Sequence, residues 1–244
     1  MKTQFNQLLA LFTFSALLLS GCYKLEPWPS IKGEGPMVRD TYQMGYFDGV
    51  QVDVNAFVRI SQGSETRVEI LGQENILDIL DVRTINNVLV ISFDVNVWKY
   101  EKLQIDIEVP DLNLISSMGS ADIHMITPLV TDNLSIDIFG SGTTIIPELS
   151  AEKLTSRIHG SGNIEVGGSV ETEHVSINGS GNFYAFDLFA AEVRINIFGS
   201  GNGNIFVSNS LDASIHGSGS VFFKGNPQVS TTSIFGSGKV VKVN

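Results

Sequence analysis

The 244-residue sequence is poor in cysteine, in basic residues and in helical periodicity. Its single cysteine, Cys22, excludes an internal disulfide framework. Lysine and arginine total 15 against 26 acidic residues, and the net charge of −11 argues against nucleic acid as a partner. The four histidines show no metal-ligand spacing, so we expect no metal site and no other cofactor.

Motifs for catalysis are also missing. The sequence has no Gly-x-Ser-x-Gly nucleophile elbow and no Gly-Gly-x-Gly-x-Asp calcium repeat. Carbohydrate-active enzymes on β-helices need clustered carboxylates or a basic groove, and the repeats described below place no such cluster in a shared column. We therefore predict that the protein is not an enzyme and has no catalytic residue.

The N-terminus contains a targeting segment. Lys2 supplies a short basic region, residues 8–19 are apolar, and Leu19-Ser20-Gly21-Cys22 has the pattern of a lipobox. We predict a lipoprotein signal peptide over residues 1–21 and acylation of Cys22, which would anchor the chain to a membrane without a transmembrane helix. The alternatives are an ordinary signal peptide with an incidental cysteine, or an uncleaved anchor. The predicted location is the bacterial cell envelope, as an outer-membrane lipoprotein.

Two stretches separate this segment from the repeats. Residues 22–45 are rich in proline and glycine without periodicity, which predicts an extended, mobile tether after the lipidated N-terminus. Residues 46–110 alternate in the manner of β-strands, with Asn86-Asn87 as a tight hairpin turn. Residues 75–82 alone have helical character and predict at most a short helical turn. Trp98 and Tyr100 lie between two strand patterns, where they either contact a partner or cap the end of the core.

A Gly-Ser turn recurs seven times in residues 111–244, with successive serines 21, 20, 19, 20, 18 and 19 residues apart. A period near 20 residues is typical of a solenoid whose coils stack on one another. Apolar residues alternate on both sides of each turn, as in strands. We predict an all-β, single-stranded parallel β-helix, right-handed, with residues 46–110 forming its first coils or its cap. The turn serines are Ser120, Ser141, Ser161, Ser180, Ser200, Ser218 and Ser237.

Equivalent positions of a solenoid form columns along its axis. The serines and the following asparagines should form a structural turn ladder of hydrogen bonds, although a polar stripe for a ligand is the alternative. A second column lies two residues before the serine, and alternation points it outward. With Trp98 and Tyr100, we regard this column as a candidate binding surface; the alternative is that it only covers the glycine turns. Its members are Phe139, His159, Asn178, Phe198, His216 and Phe235.

The order of these motifs resembles a known family. The run Phe47-Asp48-Gly49-Val50, the later Ile107-x-Val109-Pro110-x-Leu112 and the first Gly119-Ser120 turn are similar to the family named "putative auto-transporter adhesin, head GIN domain". Its members are domains of unknown function, common in envelope lipoproteins of Bacteroidetes. The resemblance covers residues 31–244 and implies a parallel β-helix whose N-terminal strands start or cap the coils. It implies no particular binding residues.

The predicted function is that of a non-enzymatic, lipid-anchored envelope protein, an adhesin that binds glycans or other macromolecules along the solenoid. The expected partners are the membrane, through the lipid on Cys22, and such a macromolecule. An alternative is a structural or assembly component that acts through self-association or periplasmic partners. A carbohydrate-active β-helix enzyme is the third and least favoured hypothesis. The side of the outer membrane that the protein faces stays open.

Overall fold

The computed structural model describes residues 30–244, which form a β-solenoid of about six turns. This confirms the predicted all-β solenoid. The predicted signal peptide and Cys22 lie outside the described residues. None of the helices in residues 30–244 has the length and apolarity that a membrane crossing needs.

Nine short strands and one helical turn precede the first Gly-Ser turn. They are β1 (Ile31–Lys32), β2 (Met37–Tyr42), β3 (Gly49–Val52), β4 (Ala56–Gln62), β5 (Arg67–Gln73), α1 (Glu74–Leu77), β6 (Leu80–Ile85), β7 (Val88–Phe93), β8 (Val97–Lys99) and β9 (Leu103–Val109).

Eleven strands build the repeats. They are β10 (Leu114–Gly119), β11 (Asp122–Met125), β12 (Leu129–Val130), β13 (Asn133–Gly140), β14 (Thr143–Gly160), β15 (Asn163–Gly179), β16 (Asn182–Gly199), β17 (Asn202–Gly217), β18 (Ser220–Lys224), β19 (Val229–Gly236) and β20 (Lys239–Lys242).

Each coil consists of three strand segments. The separate strands β11, β12 and β13 pair in parallel with successive parts of the long strand β14, at residues 143–145, 149–150 and 153–160. The register shifts between the first and second segments of β14, and at the same place in β15 and β16. A coil therefore has three corners: a sharp one at its Gly-Ser pair, a second one of variable length after the first segment, and a third one between the second and third segments.

The core is a set of inward columns between these segments. The isoleucine three residues before each turn serine is fully buried in five consecutive coils, from Ile138 to Ile215. Its equivalent in β19, Ile234, is 42% exposed because no strand of residues 30–244 covers β19 on its outer side. Burial of these β-branched side chains, together with the parallel backbone hydrogen bonds, holds successive coils in register.

The glycines of the turn are required by close contact between coils. Gly160 has φ +130°, a conformation that favours glycine, and a Cβ there would lie 2.5 Å from the carbonyl oxygen of Gly140. At Gly162 a Cβ would lie 2.6 Å from the carbonyl oxygen of Gly142. Each turn therefore rests directly on the backbone of the turn before it.

The N-terminal strands provide both the first coils and the cap. β3 and β4 pair in parallel with β10 and β11 on one side, and with β7 and β9 on the other. Antiparallel strands cover the β7–β9 coil: β6 pairs with β7, β5 with β9, and β2 with β5. The first coil in the sequence is therefore the second coil in space.

Two local predictions are confirmed and one is wrong. Asn86 and Asn87 have φ of 50° and 64° between the antiparallel strands β6 and β7, as a tight hairpin requires. The helix is the single turn α1. The mobile tether predicted over residues 22–45 is wrong for residues 31–42, because β1 pairs with β8 and β2 pairs along its whole length with β5.

Candidate functional site

The column predicted as a binding surface lies on the outer face of the longest strand segment. We call Met118, Phe139, His159, Asn178, Phe198, His216 and Phe235 the outer column. Each member is the direct parallel partner of the next, from β10 to β19. The four apolar members are 44–63% exposed, and both histidines are exposed as well. Alternation along the strand therefore gave the correct direction for these side chains.

The aromatic rings of the outer column stack on one another. The ring centroids of Phe139 and His159 lie 4.9 Å apart, with planes 4° from parallel. Phe198, His216 and Phe235 form a second stack at 4.9 and 4.8 Å, with interplanar angles of 15° and 20°. Between the two stacks, the amide of Asn178 donates to Ser176 Oγ at 3.3 Å. Within each stack the ring faces cover one another, so the column presents mainly ring edges to solvent.

The turn ladder is a hydrogen-bonded structure, as predicted for its asparagines. Asn182 Nδ2 donates to Asn163 Oδ1 at 3.1 Å, and Asn202 Nδ2 donates to Asn182 Oδ1 at 3.1 Å. The same oxygens accept the backbone N–H of the following coil at 3.2 Å. The serine hydroxyls are exposed, and Ser237 Oγ donates to Ser218 Oγ at 3.2 Å. The asparagine amides thus satisfy the turn backbone, while the serines line its outside.

Trp98 and Tyr100 have different surroundings. The Tyr100 hydroxyl accepts the backbone N–H of Asn55 at 2.7 Å, and its ring packs edge-on against Phe93 at 5.3 Å. Burial raises the pKa of Tyr100, and the hydrogen bond from Asn55 partly offsets this. Trp98, in contrast, is 74% exposed on β8. Tyr100 is therefore a structural part of the cap, whereas Trp98 is free to contact a partner outside the outer column.

The cap carries a network of three arginines and three carboxylates. Arg59 makes two hydrogen bonds with Asp106, at 2.6 and 2.8 Å, and these bonds hold the pKa of Asp106 below its usual value. Arg39 joins Asp106 to Glu69, and Arg67 joins Glu69 to Glu108. Because these charges neutralise one another, the cap presents no basic surface from this cluster.

One carboxyl group lies inside the solenoid. Glu173 is completely buried between Leu154 and Val193 of the neighbouring coils, and neither of its oxygens has a hydrogen-bond partner. Desolvation raises its pKa to about 8. The side chain has no contact with solvent, so it is unsuited to act on a ligand.

A groove at the second corner of the coils was not predicted from the sequence. It has a volume of about 330 Å³ and contains two carboxylates, Glu165 and Asp187, beside the exposed ring of Tyr184. The remaining lining residues are Ile145, Ile146, Pro147, Val166, Gly167, Phe186 and Asn204. Columns counted from the turn serine do not reveal this pair, because the coils shift register between Glu165 and Gly168. The consecutive glycines Gly167 and Gly168 are the sequence signal that marks the corner.

Among residues 30–244, no group of three or more histidine, cysteine, aspartate or glutamate side chains could hold a metal ion.

The chain matches a family and several solved structures. The family described as "Putative auto-transporter adhesin, head GIN domain" matches residues 46–227. A putative adhesin from Bacteroides fragilis NCTC 9343 is 27% identical, with a TM-score of 0.84 over 88% of this chain and all of that one. No curated protein matches the chain.

Two further structures share the fold. A putative adhesin from Parabacteroides merdae ATCC 43184 is 24% identical, with a TM-score of 0.72 over 89% of this chain and all of that one. A protein described as a putative lipid binding protein, from Parabacteroides distasonis ATCC 8503, is 23% identical, with a TM-score of 0.76 over 88% of this chain and all of that one. At these identities, the two structures support the fold alone.

Proposed function

The chain belongs to the auto-transporter adhesin, head GIN domain family, and we propose that it is a non-enzymatic, lipid-anchored adhesin of the bacterial cell envelope. The observation that carries this proposal is the outer column. Seven side chains on seven stacked parallel strand segments form one continuous stripe, and its apolar members are 44–63% exposed. A continuous exposed stripe in which five of seven side chains are aromatic rings is typical of an interaction surface.

The shape of the stripe favours an extended partner. Its members repeat at the spacing of parallel strands, so the stripe from Met118 to Phe235 is roughly 29 Å long. Because the rings stack on one another, a partner contacts the ring edges. These edges carry partial positive charge and attract oxygen atoms. A long polymer with many oxygens, such as a glycan or a glycosylated matrix protein, suits this surface.

The anchor is the second part of the proposal. Acylation of Cys22 would hold the domain at the outer membrane, since multiple acyl chains give stable attachment. Metabolic labelling with a fatty-acid analogue should mark the wild-type chain and leave Cys22→Ser unlabelled and outside the membrane fraction. Equal labelling of both would contradict the anchor.

The side of the membrane decides between the adhesin and the assembly component. Intact cells that express the full chain are treated with a protease, and the chain is followed with an antibody. Digestion on intact cells supports the adhesin. Protection until the outer membrane is broken would favour the assembly component and periplasmic partners.

The role of the stripe is tested with paired variants on the same outer face. Phe198→Ser with Phe235→Ser removes two exposed rings, whereas Ser214→Ala with Ser233→Ala changes the neighbouring outward column and is the control. We expect the first pair to reduce attachment of cells to mucin- or matrix-coated surfaces at least tenfold, and the control to leave it unchanged. Unchanged attachment in both would overturn the proposed use of the stripe.

A further inference from the structure

We infer that the groove at the second corner, lined by Tyr184, Glu165, Asp187 and Asn204, binds uncharged pyranose sugars as a separate subsite. The inference rests on the proposed adhesin function, and it adds both a ligand class and a second surface. The corner lies on a different strand segment from the outer column, since Tyr184 follows the Gly-Ser turn and Phe198 precedes the next one.

Gly167 lets three neighbouring coils come close together at the corner. A Cβ at Gly167 would lie 2.6 Å from the carbonyl oxygen of Pro147 and 3.6 Å from that of Asp187, so three coils approach here backbone to backbone. The flanking coils carry Pro147 on one side, and Phe186 and Asp187 on the other. A depression of about 330 Å³ remains, at the lower end of the range for small-molecule sites and sufficient for about one or two sugar rings.

Tyr184 provides an exposed aromatic ring that stacks on no other ring within residues 30–244. In the outer column, each stacked ring has another ring as its cross-strand neighbour. The neighbours of Tyr184 are Glu165 on one side and Asn204 on the other, and neither covers its face with a second ring. The side chain is 42% exposed at the groove. An aromatic face beside hydrogen-bonding groups is suited to the apolar C–H face of a pyranose ring.

The polar groups of the groove have no partner among the described residues. Asp137 and Asp212, on the longest segment, are paired with Arg157 and Arg194 at 2.9 and 3.0 Å. Glu165 and Asp187 make no such ion pair or side-chain hydrogen bond within residues 30–244, and the Asn204 amide and the Tyr184 hydroxyl make none either. Two carboxylates, an amide and a phenol can therefore accept and donate hydrogen bonds to sugar hydroxyls.

The charge of the groove determines which sugars fit. Glu165 and Asp187 outnumber the one nearby cation, Lys224, whose Nζ lies 4.8 Å from the ring centroid of Phe186. In a chain with a net charge of −11, the two carboxylates accept hydroxyl hydrogens but repel uronates and other acidic sugars. Removal of these two charges should therefore weaken binding of neutral sugars and relax the exclusion of acidic ones.

The test is titration calorimetry on the full chain, purified from membranes in detergent. The probes are cellotetraose, xylotetraose and mannotetraose, with tetragalacturonate as the acidic counterpart. We expect at least one neutral probe to bind with measurable heat and tetragalacturonate to bind at least tenfold more weakly. Absence of heat with all three neutral probes, or equal binding of the acidic probe, would overturn the inference.

Variants locate the binding. Tyr184→Ala should reduce affinity for the neutral probe at least tenfold, and Tyr184→Phe should restore most of it because the ring returns. Glu165→Gln with Asp187→Asn should weaken binding of the neutral probe and, relative to that probe, strengthen binding of tetragalacturonate. Tyr46→Ala, which removes a 54% exposed tyrosine outside both the groove and the outer column, is the matched aromatic control and should leave the affinity unchanged.

Two results would overturn the assignment. One is an unchanged affinity in folded Tyr184→Ala, with folding checked by circular dichroism. The other is release of reducing ends from any probe, which would indicate hydrolysis by the carboxylate pair. Failure of the subsite leaves the attachment assay with the Phe198 and Phe235 variants unaffected, so it is distinguishable from failure of the adhesin function.

Discussion

Glu173 opposes the stability of the core at neutral pH. Its carboxyl group is buried without a hydrogen-bond partner, and burial raises its pKa from 4.5 to about 8. Between these values the folded chain keeps a proton that the unfolded chain has lost. The contribution of Glu173 to the free energy of unfolding is therefore most favourable below pH 4.5. It falls by about 1.4 kcal/mol per pH unit as the pH rises toward 8.

Substitution of Glu173 should remove this pH dependence. Glu173→Leu matches the apolar neighbours Leu154 and Val193 of its column, and we expect it to unfold at a higher denaturant concentration, with a larger gain at pH 8 than at pH 5. Glu173→Gln is the control: its amide stays without a hydrogen-bond partner, but its contribution to the free energy of unfolding does not change with pH. Chemical denaturation at pH 5 and pH 8 measures the stability of both variants against the wild type. Gains of equal size at the two values would show that the carboxyl does not titrate between them.

The second glycine of each turn is a purely steric requirement at Gly162. A Cβ there would lie 2.6 Å from both the carbonyl oxygen of Gly142 and Cγ2 of Ile138, so Gly162→Ala forces the coils apart. We expect a loss of about 1–3 kcal/mol in the free energy of unfolding. Ser161→Ala, one residue away, removes only an exposed hydroxyl and should stay within about 0.5 kcal/mol of the wild type. A stable Gly162→Ala protein would mean that the turn can shift without cost.

Single residues were predictable where they repeat and unpredictable where they break the repeat. The inward isoleucines and the outward Phe and His side chains follow from alternation around the turn serine. Alternation also places Glu173 inside, but a carboxyl group is expected to be exposed because burying its charge is costly. The stacking of Phe139 on His159 depends on side-chain rotation, which sequence spacing does not determine.

At the scale of elements, the asparagine ladder connects turns across three coils. Asn182 is its centre, since its Oδ1 accepts from both the backbone N–H and the Nδ2 of Asn202. Asn182→Ala leaves that N–H without a partner, and we expect a loss of about 1–3 kcal/mol together with faster amide exchange at Asn202. Asn196→Ala, an outward position without a hydrogen bond to a neighbouring coil, is the control. Equal rates of amide hydrogen exchange at Asn202 in both variants would show that water replaces the hydrogen bond that Asn182 accepts.

Elements formed by distant pairing were the ones that the sequence did not predict. The linker-like residues Gly33, Gly35 and Pro36 lie between β1 and β2, yet β2 pairs with β5 about 30 residues later and β1 pairs with β8. Such pairings depend on an edge that exists only after the cap has folded. The groove escaped prediction for a related reason, because the second corner differs in length between coils and has no fixed offset from the turn serine.

For the whole domain, the coil is the unit that can be removed. Gly160 and Gly179 are cross-strand partners, so deletion of Ser161–Gly179 joins Gly160 to Ser180 with the same turn geometry. Each coil contacts mainly its neighbours, and we expect the shortened chain to keep its far-ultraviolet circular dichroism per residue and its cooperative unfolding. Deletion of residues 161–169 alone removes half a coil, places polar residues in the core, and should give an unfolded or aggregated chain. Loss of folding in the whole-coil deletion would indicate contacts beyond nearest neighbours.

The crossed order of the cap has a consequence for the order in which the coils can form. The β3–β4 coil lies between the β7–β9 coil and the β10–β11 coil. Residues 88–109 therefore cover the cap-facing edge of the β3–β4 coil, and the first repeat pairs with its opposite edge. Residues 31–109 then form a template with one free growing edge, and every later coil adds to that edge in the order of the chain. Folding of this protein is thereby polarised: the segment nearest the N-terminus closes one end, and growth proceeds only toward the C-terminus.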